Sequence, residues 1–283
     1  MKPMSSQTRG GRELLDANRR FYDSLWSGAE FVAPERFNTW PLVQSLLSEG
    51  ARRLEVAPGL RPRLPIEGTH FVDISTPALA ALRARGAKAI QSEISSLPFA
   101  DGAFDLVCAL DIVEHVDDDD GALEELSRVT KPGGALVISA PLHTCLWTAF
   151  DDFVGHKRRY EPRGLIAKLA RHQITVERSA VFGMQPRSSH ITDIGMWWLK
   201  HRRAGALWWY NKLIMPLGLR LQKELQLAPG MIATDAVDEI LLVCRASRDF
   251  SSSTIRRSEV SLHPRAAPPP SVTPPCTTRA DHP

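Results

Sequence analysis

Cysteine is scarce and poorly spaced: Cys108, Cys145, Cys244 and Cys276 are the four in 283 residues, and no two form a CxxC pair. That excludes a disulfide framework and a thiolate zinc site, and makes a reducing cytosol the default compartment. Charge of one sign is also missing, with Lys+Arg 35 against Asp+Glu 32 and a net charge of +3, which argues against nucleic acid as a partner. The N-terminus MKPMSSQTRGGRELL has no apolar h-region, and no stretch approaches eighteen apolar residues, so neither secretion nor membrane spanning is expected. A G-x-G-x-x-G fingerprint is absent, because Ala57 and Pro62 occupy its outer glycine positions. Gly59 and Asp73 stand fourteen positions apart, short of the roughly twenty of a dinucleotide site, which counts against NAD.

What is present is organised around Arg52 to Ser75. An apolar run over Leu54 to Val56 opens into Ala57-Pro58-Gly59, and a second run ends on Asp73. The pattern predicts strand, tight turn and strand ending on a carboxylate, the arrangement in which a doubly wound sheet grips a nucleotide-like ligand. The glycine lets backbone approach that ligand, and the acid can accept from two ribose hydroxyls.

Further along, Ser75 or Thr76 caps a helix that stops at Gly86. Strands follow over Lys88 to Ser92, Phe104 to Leu110 and Ala135 to Ala140, with a helix from the Asp117–Asp120 run to about Val129. Strand and helix alternate as in a parallel sheet covered on both faces. Before the sheet, helical spacing covers Arg12 to Trp26, and a second helix starts at Asn38 or Thr39 with Pro41 in its first turn. These two helices are expected over the ligand edge.

The succession LEVAPG, FVDIS, SEISSLPFADGAFDLV, DIVEHV, LSRVTKPGG and LVISAP resembles the class I S-adenosylmethionine-dependent methyltransferases, specifically their type 11 group, over roughly Leu54 to Arg245. The resemblance implies an α/β fold with a doubly wound, seven-stranded, mostly parallel sheet, carrying a helical N-terminal cap and a helical insertion. By the same resemblance Glu55, Ala57, Pro58 and Gly59 wrap the methionine end of S-adenosyl-L-methionine. Asp73 with Ile74 holds the ribose diol, Glu93 and Ile94 meet the adenine, and Asp111 lines the pocket floor. The usual glycine loop is shortened here to Ala57-Pro58-Gly59, and Pro62 and Pro65 cut the helix after it. No N/D-P-P-Y element follows the fourth strand, so nucleobase amino groups are not favoured acceptors.

Beyond the fifth strand lie His143, Asp151, Asp152 and Gly155-His156-Lys157-Arg158-Arg159-Tyr160, where an acceptor pocket belongs. His156 or His143 can serve as base near neutral pH. Arg158 and Arg159, with Tyr160, can bind an acceptor carboxylate or phosphate, or the arginines can fix the loop through Asp151 or Asp152. Asp111, Glu114 and His115 sit at i, i+3 and i+4, a spacing that can gather metal ligands. A structural role is the expectation, and no metal is called.

Two strands, Ile174 to Val181 and Glu239 to Cys244, are expected to pair antiparallel at the sheet edge. Between them Gly195 to Lys223 holds Trp197, Trp198, Trp208 and Trp209, four of the seven tryptophans, beside six Lys and Arg and no acid. Such a stretch can pack on the core, lie in a membrane interface, close over an apolar acceptor, or bury itself in a dimer. The Pro-rich tail lacks large apolar residues and is expected to be disordered. The expected organisation is a cap over 1–50, a cofactor-binding core over 51–183, an insertion over 184–235, a last strand over 236–246 and a tail over 247–283. The expected activity is methyl transfer to a small-molecule acceptor, lipid-like or a secondary metabolite, in the cytoplasm with peripheral membrane contact through 195–223. The alternative is a cofactor-binding regulator or scaffold without turnover.

Overall fold

The computed structural model describes residues 22, 23, 26–183, 202 and 209–247. All of them fall in the unit Met1–Arg248; Asp249–Pro283, and with it the expected disordered tail apart from Ser247, lies outside the described residues. Most of the expected first helix, and Trp197, Trp198 and Trp208, lie outside them too.

One eight-stranded sheet organises this unit, in the order β3-β2-β1-β4-β5-β8-β6-β7. β1 (Arg53–Val56), β2 (Thr69–Asp73), β3 (Lys88–Gln91), β4 (Phe104–Ala109) and β5 (Thr130–Pro141) pair in parallel. β8 (Glu239–Ala246) inserts antiparallel between β5 and β6 (Ile174–Val181), as expected for the closing edge. The eighth strand is the two-residue β7 (Ala228–Pro229), too short to carry a sequence pattern.

Alternation along the central strands sends residues to two buried faces. Leu54, Val56, Val107, Ala109, Leu136, Ile138, Ile240 and Leu242 join one core, with Leu123 and Leu126 of α3 (Asp119–Val129) and Leu165 and Leu169 of α5 (Pro162–Arg171). Leu106, Cys108, Val137, Leu241 and Val243 join the other, with Leu42 and Val43 of α1 (Trp40–Leu46). α2 (Thr76–Arg83) begins where Ser75 accepts from the Ala78 N–H, and α3 begins where the Asp118 carboxylate accepts from Gly121. α1 follows Thr39 as expected, but Thr39 makes no side-chain cap; Pro41, fixed in a helical φ, starts it instead.

The strand order reverses at β1, between β2 and β4, so the C-terminal ends of β1, β2 and β4 form the crevice where such sheets hold ligands. Among the described residues, three of the four non-glycine residues with positive φ lie just beyond strands on this edge: Ala57 (φ 56) after β1, Asp111 (φ 54) after β4 and His143 (φ 59) after β5. Left-handed backbone is costly for side-chain-bearing residues and collects where a site dictates the chain path. A shallow depression of about 310 Å³ between Ser45, Asp105, Lys131 and Arg245 lies at the opposite end of these strands.

Candidate active site

Asp73 closes β2 and is 5% exposed. Its Oδ2 accepts from the Gly59 N–H at 2.9 Å and its Oδ1 from the Ser75 N–H at 2.8 Å. Each oxygen keeps a lone pair, so the carboxylate can still accept from two hydroxyls of a bound sugar. Burial outweighs these bonds and pushes its pKa up to about 6.

Gly59 adopts a left-handed φ of 55°, and a side chain there would run into the indole of Trp26. Of the chain before the sheet, the segment around Trp26 lies over the ligand edge: Trp26 rests on the glycine turn, and Asp23 accepts from the Thr76 N–H at 3.0 Å. α1, expected there too, instead packs on a sheet face with its end beside the depression at the opposite end. Tyr22 bonds through its hydroxyl to His115 Nδ1 at 3.0 Å. Burial and the negative charges of Glu114, Asp73 and Asp111 push its pKa up. Tyr22 is a site residue the sequence reading missed; helical spacing singled out Phe21 and Trp26, and a lone tyrosine carried no signal of its own.

Glu55 takes a different place from the one expected. Buried at 3% exposure, it accepts from the backbone N–H groups of Arg63 and Leu64 at 2.8 Å each. Its carboxylate is thus spent on the proline-cut loop, in place of the missing helix, and burial lifts its pKa to about 7. Glu93 is exposed just past β3, and Ile94 packs in the core under the same edge.

Beyond β4 acidic side chains cluster. Asp111 accepts from the Ser139 hydroxyl and gives its own N–H to the same oxygen at 2.7 Å. Glu239, at the start of β8, is hydrogen-bonded to Asp111, and its pKa is raised by burial and by Asp111 and Glu114. Glu114 is 2% exposed, and its Oε2 has no hydrogen-bond partner. Its Oε1 lies 3.9 Å from His115 Nε2 and 3.8 Å from His156 Nε2. Ser139 and Glu239 were not anticipated, since each comes from a strand far along the chain.

The GHKRRY segment corrects an expectation. Arg159, expected at an acceptor, is 4% exposed; it grips Asp151 with two nitrogens at 2.8 and 3.1 Å and reaches Asp238 at 2.8 Å. Arg158 pairs with Asp119 and donates to the Asp117 carbonyl at 2.8 Å, and the Tyr160 hydroxyl donates to Asp119 at 3.0 Å. Arg158 and Tyr160 thus clip the loop to Asp119 of α3, while Arg159 ties it to Asp151 and Asp238 and donates to the Leu142 carbonyl. His143 has its Nε2 committed to the Thr234 carbonyl at 2.7 Å.

Comparison with known proteins bears on the family and the fold. Residues 60–138 match the family model of the methyltransferase domain. A demethylmenaquinone methyltransferase from Mycobacterium sp. (strain KMS) is 31% identical over 150 residues, covering 50% of this chain and 65% of that protein. One from Mycolicibacterium vanbaalenii is 36% identical over 85 residues, covering 29% of this chain and 37% of that protein. The chain therefore spans between about a third and two thirds of the length of these curated relatives. Among solved structures, a SAM-dependent methyltransferase from Thermotoga maritima, described as a possible histamine N-methyltransferase, superposes with a TM-score of 0.52 at 16% identity, covering 76% of this chain and 91% of that one. Residues 60–138 thus match the methyltransferase-domain family, and the chain has the α/β fold seen in S-adenosylmethionine-dependent methyltransferases.

Proposed function

We propose that this chain transfers a methyl group from S-adenosylmethionine to a nucleophile on a small-molecule acceptor, lipid-like or a secondary metabolite, in the cytoplasm. The observation that carries the reading is the buried Asp73 carboxylate, held by the Gly59 N–H at the strand-order reversal with lone pairs to spare. The names of the curated relatives support a small-molecule acceptor.

The residues present fit the cofactor. Asp73, with Ile74, would hold the ribose hydroxyls; Glu93 and Ile94 would flank the adenine beyond β3. Ala57, Pro58 and Gly59 would border the methionine end, with Trp26 and Tyr22 as its roof, and Asp111 would close the floor. When bound, the cofactor supplies a methyl already activated on a sulfonium, so the protein's share is to hold nucleophile and methyl in line and exclude water, worth several kcal/mol through proximity. Where an acceptor must lose a proton, His156 is better placed as base than His143. Burial lowers its pKa and keeps the imidazole neutral, and its Nδ1 bond to Asp151 at 2.8 Å fixes the ring.

The second reading, a cofactor-binding regulator or scaffold without turnover, draws on one observation: Trp26 already occupies the open face of Gly59. Incubation with a deuterated-methyl cofactor and metabolite and lipid extracts, followed by mass spectrometry, separates the two. A labelled product is expected; cofactor binding with no labelled product across extracts would favour the second reading.

A further inference from the structure

We propose that Glu114, His115 and His156 form a binding site for one borderline first-row divalent cation, such as Zn²⁺, Co²⁺ or Mn²⁺, at the floor of the acceptor side. One ligand atom from each lies within 4.8 Å of the other two, although the residues come from two segments of the chain. Glu114 and His115 stand on the single 3-10 turn Val113–His115 behind β4, while His156 follows α4 (Ala149–Val154).

Three independent features point to an ion. The first is orientation: both imidazoles turn Nε2 toward Glu114 Oε1, at 3.9 and 3.8 Å. Those separations are too long for hydrogen bonds, and they contract by a few tenths of an ångström around an ion bound at about 2.0–2.2 Å from each donor. The second is the support behind the rings. His156 Nδ1 bonds to Asp151 Oδ1 at 2.8 Å, and His115 Nδ1 meets the Tyr22 hydroxyl at 3.0 Å. A carboxylate or hydroxyl on one ring nitrogen fixes the tautomer that leaves the other free to ligate. The third is the orphan: on the Glu114 side chain, which is 98% buried, Oε2 has no hydrogen-bond partner, so the second carboxylate oxygen is also left to an ion or to water bound on it. A buried carboxylate among like charges is costly unless a cation compensates it.

Two imidazoles and one carboxylate suit zinc, manganese and iron(II) better than calcium or magnesium, and three protein ligands leave positions open to water or to an acceptor oxygen. As a ligand, His156 Nε2 no longer takes a proton. The cation site rests on the residues alone and stands whether or not methyl transfer is shown.

The test is a titration of Co²⁺ alone into the chelator-treated full chain, followed by ligand-field absorption and calorimetry, with circular dichroism as the fold control. One equivalent is expected to bind, at least tenfold more weakly in Glu114→Gln, His115→Asn and His156→Asn. In Tyr22→Phe, which alters the support and not a ligand, binding weakens about tenfold. The absence of a saturable one-equivalent site, or a site that persists undiminished in Glu114→Gln and His156→Asn, overturns the proposal. S-adenosylmethionine binding, measured on the same samples, reports separately on the methyltransferase reading.

Discussion

Buried acids are where residue-level physics is most exposed to test. Glu55 was expected to touch cofactor, and its approach to the loop was legible from its place after Leu54 and before the turn. That its carboxylate would accept from Arg63 and Leu64 was not, because the sequence shows only that Pro62 and Pro65 break a helix, not what satisfies the broken backbone. Replacing Glu55 with alanine leaves both N–H groups buried and unpaired. Urea denaturation is expected to show a loss of about 3 kcal/mol, and a loss below about 1 kcal/mol would mean that the loop finds other partners. Asp73 makes a pH prediction. Its pKa in the free protein is about 6, and ribose hydroxyls donate best to the ionised form. Cofactor affinity is therefore flat above that value and falls about tenfold per pH unit below it, with proton uptake competing against binding. Calorimetry at pH 7.5, 6 and 5 checks the sign; affinity that rises on acidification contradicts it.

Among the elements, the central parallel strands β1, β2, β4 and β5 were readable because their side chains are mostly buried, and β1 ends where the apolar run does, whereas edge strand β3 is largely exposed. β5 starts five residues earlier than its apolar stretch, because Thr130 pairs with Phe104 and the register then shifts, carrying Lys131 to Gly134 as an irregularity before Ala135 pairs with Leu106. The left-handed backbone at Ala57, Asp111 and His143 has no sequence signature, since it is imposed by the crevice and not by residue preference. The described half of the insertion, a π-turn over Tyr210–Ile214 and α6 (Met215–Arg220), buries Met215 against Val32 and Phe37. It leaves Trp209, Leu213, Ile214, Leu217 and Leu221 exposed, from 43% to 70%. Arg220 and Lys223 stand in the same stretch, while Lys212 pairs with Glu30 at 2.6 Å; we propose that these exposed apolar side chains make the expected peripheral contact with an anionic lipid surface. Sedimentation with vesicles containing anionic lipid is expected to pull the protein down, and Leu217→Asp with Leu221→Asp to lower binding about tenfold. Equal sedimentation of wild type and variant contradicts that contact. Among the described residues no helix is long and apolar enough to cross a membrane.

For the molecule as a whole, the order of motifs predicted the sheet and its antiparallel closing strand, because the chain lays a βα succession down in only a few ways. The second half of the site was harder to see. Tyr22, Ser139, His156 and Glu239 meet Asp111 and Glu114 from four segments, and Arg159 ties Asp151 to Asp238, so this acidic cluster is a product of folding and not of any local pattern. The central claim is that this fold presents Asp73 to an adenosyl sugar. Titration calorimetry of S-adenosylmethionine into the full chain, beside Asp73→Ala with its fold verified by circular dichroism, tests it most directly. One equivalent bound by the wild type and affinity at least tenfold weaker in the variant is the result predicted; no binding, or the same affinity without the carboxylate, would contradict it.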